Sequence, residues 1–222
     1  MPKTLTFLFD FASPNCWFAY RALPALLQRT GARLDVEPVL LGGIFKATGN
    51  QSPLAAFAHV KGKLDYDRLE MARFGARHGL TRFRMNPHFP VNTLMLMRGL
   101  LAARQTGQGA AYLEAGLQGL WEEGLDLADP ATLAVRLDRA GLDGAALIAG
   151  AQAPRIKAAL AEATDNAVAR GVFGLPTFFV SDEMFFGKDR LGQVEEELAQ
   201  VEEELAQVEE ELGQVEEELS RR

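Results

Sequence analysis

Apolar positions set the first elements. Leu5–Phe11 is a run rich in β-favouring residues and predicts a strand. The period then changes. Trp17, Ala19, Tyr20, Leu23, Leu26 and Leu27 recur at mostly helical spacing, which predicts a helix to about Gln28. Ser13-Pro14 fits its start, because serine caps the free first-turn amides and proline is favoured at the first helical position. Gly31 fits its end. Pro24 lies inside the pattern and predicts a kink or break there. Arg33–Leu40 alternates around Leu34, Val36 and Pro38 and predicts a second strand, so the opening reads as a βαβ unit.

From Gly42 to Gly171 strand signals almost vanish. Helices are predicted over Asp65–His78, Asn92–Gln105, Gly109–Glu123, Pro130–Ala140, Gly144–Ala149 and Pro154–Arg170. Strands return at Thr177–Val180 and Met184–Phe186, separated by a hairpin turn, and a helix follows Gly187. The order is β-α-β, a helical block, then β-β-α. Without the block it is the thioredoxin order, an analogy of fold that carries no function by itself. The expected class is α/β, a thioredoxin-like fold interrupted by an all-helical insertion and extended by a C-terminal heptad-repeat helix. The expected divisions are 1–43 (first thioredoxin-like part), 44–171 (insertion), 172–198 (second part) and 199–222 (tail).

Length and composition narrow the class. The 222 residues, 48% hydrophobic and 24% charged, suit a globular protein with one large or one interrupted domain. No apolar run reaches about 18 residues and no signal-peptide pattern opens the chain, so no membrane partner and a cytoplasmic location are expected. One cysteine, Cys16, precludes an internal disulfide. The net charge of −7 hides a division: 191–222 hold twelve Glu and two Arg, a net of −10, which leaves +3 on 1–190. Residues 57–104 carry nine Lys/Arg against three Asp/Glu, with His59, His78 and His88. A solvated helical face accounts for this, and a positive field around a small anionic substrate is the sharper reading. Nucleic acid is not expected, because no stacking aromatics are interleaved with the charge.

Four short motifs could carry chemistry. In Phe9-Asp10-Phe11-Ala12-Ser13-Pro14-Asn15-Cys16-Trp17, Ser13 reads as a helix cap. The same geometry puts a hydroxyl beside free backbone N–H groups at the positive end of a helix dipole, where a bound thiolate would be stabilised. Ser13 itself has no neighbouring base and reads as a hydrogen-bond donor. Ser13-Pro14-Asn15-Cys16 has the spacing of a redox C-x-x-C, but one thiol cannot cycle a dithiol, and Cys16 reads as a small buried residue. Gly171–Phe178 reads as a loop entering a strand, and a cis-proline at Leu175-Pro176 would free the Leu175 backbone for a peptide-like ligand. Turn chemistry explains Lys46–Pro53, and Phe185–Arg190 reads as a helix start with Asp189 in its first turn.

In order and spacing these motifs, with Asn86-Pro87 and Phe89-Pro90-x-Asn92 between them, resemble the 2-hydroxychromene-2-carboxylate isomerase/kappa-class glutathione transferase family over about residues 3–198. The resemblance implies glutathione as cofactor. It implies Ser13 as the catalytic serine, and Leu175 with cis Pro176 as the contact to the cofactor backbone. Lys188 and Asp189 would meet its γ-glutamyl end. Lys46, Asn50, Pro53 and Leu54 would be cofactor contacts, with Asn86 and Pro87 toward a small anionic aromatic substrate. No metal is implied. Members commonly carry an aromatic residue where this chain has Asn15. The implied reaction is cis–trans isomerisation by reversible thiol addition to an unsaturated aromatic oxo-acid. A kappa-like transferase and a non-catalytic thioredoxin-like binding or chaperone module are the alternatives, and the single cysteine disfavours a disulfide oxidoreductase.

The tail alternates Leu191, Leu198, Leu205, Leu212 and Leu219 with Val194, Val201, Val208 and Val215, a heptad with Leu at a and Val at d. Positions e and g are then glutamates, which repel in a parallel homo-oligomer, and the competing outcome is a lone helix packed on the basic body. The expected homo-oligomer associates weakly at neutral pH and more strongly as the glutamates protonate near their reference value of ~4.3. Sedimentation at about pH 7 and pH 4.5 checks this, with the chain truncated after Leu198 as reference. Identical oligomeric states for both chains at both pH values would count against the coiled coil.

Overall fold

The computed structural model describes residues 3–202 and Gln214. Four strands form one mixed sheet in the order β2-β1-β3-β4. They are β1 (Thr4–Phe9), β2 (Arg33–Pro38), β3 (Thr177–Val180) and β4 (Glu183–Phe186). β1 pairs parallel with β2 and antiparallel with β3, and β4 completes a hairpin with β3. Parallel pairing of β1 and β2 needs a crossover, which the helix α1 (Pro14–Thr30) supplies. The sheet core is aromatic: Phe7 stacks on Phe178 at 5.1 Å, and Phe9 meets Phe11 edge-on at 4.8 Å. The thioredoxin-like α/β class expected from the sequence is the class observed.

Helix α1 runs unbroken through Pro24, contrary to the expected break. Pro24 lies on the exposed face of α1, where a carbonyl one turn back that lacks a helical donor can be hydrated instead. Gly31 ends α1 with φ 66°, and its N–H returns to the Leu27 carbonyl at 2.9 Å.

Between β2 and β3 the chain is helical: α2 (Leu41–Thr48), α3 (Pro53–Ala56), α4 (Lys63–Arg77), α5 (Leu94–Gln105), α6 (Gly109–Trp121), α7 (Pro130–Arg139), α8 (Gly144–Gly150) and α9 (Pro154–Ala169). The last six lie within about two residues of the sequence reading. α2 and α3 were not expected, because Gly42-Gly43 and the turn-rich residues after Lys46 mask eight and four helical residues.

The helical block is joined to the sheet portion by buried polar contacts as well as packing. The Trp121 indole donates to the Phe11 carbonyl at 2.9 Å. The Trp17 indole donates at 3.2 Å to Glu122, which also pairs with Arg21 at 2.7 Å and Arg82 at 3.1 Å. Arg21 forks onto Glu114 at 2.6 and 2.8 Å. These bonds fix α1 against α6.

After the 3-10 turn Lys188–Arg190, a last helix, α10, covers 191–202. Its a and d positions face inward: Leu191, Val194 and Leu198 are buried in the main core. Arg29 forks onto Glu195 at 2.6 and 2.7 Å, and Lys3 pairs with Glu202 at 2.5 Å. The first heptad is therefore spent on the body of the chain. The heptads from 203 on, and with them the expected self-association, lie outside the described residues.

One close approach locks α6 to the β1–α1 turn: a Cβ on Gly116 would come within 2.5 Å of the Phe11 ring. Gly116→Ala should cost roughly 1–3 kcal/mol by overpacking, read as a lower urea midpoint. Gly192→Ala, whose Cβ would meet nothing within 4 Å, is the control and should be neutral or slightly stabilising.

Candidate active site

Two backbone devices meet at Ser13. The first is the start of α1, where Ser13 takes an extended cap conformation and its hydroxyl accepts from the Cys16 N–H at 3.3 Å. The second is the loop before β3, where the Leu175–Pro176 peptide is cis. Thr177 donates to the Gly174 carbonyl at 2.8 Å, and a Cβ on Gly174 would come within 2.9 Å of the Phe186 ring, so the loop lies tight on β4. The Ser13 hydroxyl donates to the Leu175 carbonyl at 3.2 Å and joins the two devices. Ser13 and Leu175 are both buried. Among the described residues neither the Leu175 amide nor the Asn15 amide has a hydrogen-bond acceptor. The Asn15 Oδ1 is likewise buried without a partner. A buried polar atom left unpaired costs about 1–3 kcal/mol, so this cluster is poised for a ligand that offers both a donor and acceptors.

Asp10 holds the turn from beneath. Its Oδ1 accepts from the Ala12 N–H at 2.9 Å and the Thr93 hydroxyl at 2.6 Å, and its Oδ2 accepts from the Leu41 N–H at 2.7 Å. The Asp10 carbonyl accepts from the Ser13 N–H at 3.2 Å. Burial pushes the Asp10 carboxyl above its ordinary value, and the donors from Ala12, Thr93 and Leu41 oppose that shift. Asp10 and Thr93 escaped the sequence reading as site residues, and Asn15 entered it only as a departure from the family's pattern. Asp10 was visible only as a turn residue, and nothing local joins it to Thr93, 83 positions away.

Cys16 is fully buried and its thiol is pushed up to about 12, chiefly by desolvation. Such a thiol is a poor nucleophile at neutral pH, and as the chain's single cysteine it has no partner for a dithiol. The reading of Cys16 as a small core residue agrees with that environment.

The other expected contacts fall into groups. The Asn50 carboxamide donates to the Phe173 carbonyl at 2.7 Å and so ties the α2–α3 loop to the loop bearing Leu175. Lys46 in the last turn of α2, and Pro53 and Leu54 at the start of α3, are exposed. Lys188 is buried, with its ammonium 5.0 Å from the Phe74 ring and paired to the exposed Asp189 at 2.8 Å. The turn carrying them packs on α1. Asn86 is used internally: its amide donates to the Leu120 and Leu125 carbonyls at 2.7 and 2.9 Å, and its oxygen accepts from the His88 N–H at 2.7 Å. Pro87 beside it is exposed. Among the described residues no cluster of three or more His, Cys, Asp or Glu could hold a metal, and no helix is long and apolar enough to cross a membrane.

A thioredoxin-type sheet, a helical insertion and a serine facing a cis-proline loop define a DsbA-like protein with serine in the place of the first redox cysteine. Residues 4–199 match the family model of the DSBA-like thioredoxin domain. The chain is 31% identical to 2-hydroxychromene-2-carboxylate isomerase of Sphingobium xenophagum, over 86% of this chain and 95% of that protein. It is 27% identical to human glutathione S-transferase kappa 1, over 86% and 88%. A solved 2-hydroxychromene-2-carboxylate isomerase structure superposes with a TM-score of 0.79 at 27% identity, covering 92% of this chain and 98% of that one. The chain belongs to the DsbA-like thioredoxin family, in the branch of the 2-hydroxychromene-2-carboxylate isomerases and kappa glutathione transferases, and it is an enzyme.

Two outcomes are expected from this geometry. Cys16 should resist iodoacetamide at about pH 8 in the native protein and react on unfolding, as read by mass spectrometry, because a thiol with so high a pKa stays protonated. Asp10→Asn should cost roughly 1–3 kcal/mol, since a carboxamide offers one oxygen while the Ala12 and Leu41 amides need an acceptor on each side. The Asp10 carboxyl titrates higher folded than unfolded, so its stabilising contribution is complete below ~4 and is lost as pH rises through the folded value. Urea titrations across that range should show the gap between wild type and D10N narrowing as pH increases.

Proposed function

We propose that the protein is a glutathione-dependent isomerase of the 2-hydroxychromene-2-carboxylate isomerase type, working in the cytoplasm on a small anionic aromatic oxo-acid. The observation that carries this reading is the buried Ser13 hydroxyl at the start of α1, held against the Leu175–Pro176 loop beside unpaired backbone amides. The residues fit the cofactor. The Leu175 amide would pair with the backbone of a peptide-like ligand, Lys188 and Asp189 would take its charged γ-glutamyl end, and Lys46, Asn50, Pro53 and Leu54 would border it. Bound glutathione would supply a thiolate that adds reversibly to the conjugated double bond, lets the former double bond rotate, and leaves.

The chain's own task is to keep that sulfur ionised. The Ser13 oxygen is anchored by the Cys16 N–H, so its O–H can turn from the Leu175 carbonyl toward a sulfur without moving the oxygen. The unpaired Asn15 amide and the positive end of the α1 dipole add to the same field. These groups are fixed by the fold before reaction and need no reorganisation. At the substrate end, Pro87 and the Asn15 carboxamide are the candidate contacts. Asn86 acts behind them by holding the Pro87 segment to α6 and the loop after it.

The similarity to the human kappa transferase supports a second reading, in which the adduct is the product. Chromatography of the reaction separates the two, since one gives an isomer of unchanged mass and the other a glutathione conjugate.

Calorimetry should show reduced glutathione binding, and its absence at millimolar concentration would overturn the proposal. Ser13→Ala should lower turnover about 10²-fold, the scale for losing one preorganised donor. If the serine is only a helix cap, the same variant should lose roughly 1 kcal/mol of stability with activity unchanged. Rate and unfolding midpoint measured on one preparation discriminate between these outcomes.

A further inference from the structure

A second site candidate lies on the outer side of α5. There a cavity of about 190 Å³ is lined by Asn92 just before the helix, by Leu94, Met95 and Arg98 from its first half, and by Ala128 and Gln152. None of these six residues belongs to the Ser13 cluster or to the contacts assigned around it.

The guanidinium of Arg98 is the unexplained group. Its side chain is half-buried, and its Nε is shielded from solvent without a hydrogen-bond partner. Arg98 makes no ion pair among the described residues; Arg33, Arg77, Arg84, Arg139, Arg155 and Arg190 make none either but are exposed, whereas Arg21 and Arg136, shielded like Arg98, each pair with a carboxylate. The nearest acids in sequence to Ala128 are engaged elsewhere. Asp126 accepts from the Ala128 N–H at 3.2 Å, and Asp129 caps α7 through the Thr132 N–H at 2.8 Å. The first turn of α5 contains no acid. A guanidinium partly withdrawn from water with no counter-charge is costly, and an anion relieves the cost.

The remaining polar groups point the same way. Asn92 spends its Oδ1 on the Leu94 N–H at 3.0 Å, which leaves its NH2 as a donor. The Met95 amide, in the first turn of α5, has no acceptor among the described residues. Leu94, Met95 and Ala128 supply apolar walls. Donors beside hydrocarbon in one cavity suit a carboxylate attached to a flat apolar body.

We propose that this cavity binds the carboxylate of a small aromatic acid through Arg98, separately from the Ser13 site. The fork of the guanidinium matches a carboxylate in a bidentate pair, the NH2 of Asn92 and the Met95 amide flank it, and the ring lies against Leu94, Met95 and Ala128. This inference does not rest on the glutathione reading, because it is tested by binding alone.

Calorimetric titration of the full chain with benzoate, acetate and benzyl alcohol is the test. Benzoate should bind, and acetate and benzyl alcohol, each lacking one half of the recognition, should bind at least about tenfold more weakly. Arg98→Gln should weaken benzoate by about tenfold or more without lowering the melting temperature, since Arg98 makes no ion pair among the described residues. Arg98→Lys, which keeps the charge and loses the fork, should fall between and serves if the glutamine variant does not fold. Benzoate affinity should be the same with and without saturating reduced glutathione. Equal benzoate affinity in wild type and variant, no benzoate binding at tens of millimolar, acetate binding as well as benzoate, or displacement by glutathione would each overturn the proposal.

Discussion

The carboxylate of Asp10 is the constraint on which the site depends. It sits fully buried at the end of β1 and receives bonds from its own turn at Ala12 and from two distant parts of the chain, the start of α2 at Leu41 and the residue preceding α5 at Thr93. A buried carboxylate stripped of water costs several kcal/mol unless such donors surround it. The arrangement therefore penalises displacement of the start of α2 or of α5 from the β1–α1 turn. Ser13 is three residues from this anchor and its N–H bonds the Asp10 backbone carbonyl, so the Ser13 hydroxyl is positioned by the same turn that the carboxylate holds.

A second constraint crosses from the other side of the sheet. In the loop before β3 the Leu175 carbonyl accepts from the Ser13 hydroxyl, and the Leu175 amide has no acceptor among the described residues. In a protein of this fold, a serine at this point in place of a cysteine removes dithiol chemistry but keeps the helix dipole and the free amides. What remains is a set of free donors at a helix start, which in the proposed function would hold the thiol of bound glutathione. The deeply buried Cys16, with its thiol pushed up to about 12, is consistent with that division of labour.

The heptad tail shows the same sequence signal serving two purposes. Leu191, Val194 and Leu198 satisfy the a and d pattern, yet in α10 they fill the core of the body, and Glu195 and Glu202 meet Arg29 and Lys3. An apolar stripe states that a helix face will be covered. It does not state by what, because an intramolecular groove and a second helix reward the same spacing.

Much was legible in the chain, and the reason is local. The β-favouring run of β1, the alternation in β2, the helical period of α1 and α4–α9, the Ser-Pro start and the Gly31 stop are decided by residues within a turn or two of one another, so the sequence alone established the α/β order and the interruption by helices. The same locality marked Ser13 and the Leu175–Pro176 loop as candidates. It failed at α2, where Gly42 and Gly43 lower intrinsic helicity. There the Leu41 amide is held by Asp10, the Leu40 amide by Thr164, and a Cβ on Gly43 would meet the Thr164 methyl at 2.9 Å. Only tertiary structure decided the contacts that make a site: Asp10 with Thr93, Ser13 with Leu175, Asn50 with Phe173, and the absence of any partner for Arg98 among the described residues. Each joins or separates residues tens of positions apart. Such pairings are fixed by the closure of the whole chain around its core, and no window along the sequence contains both partners.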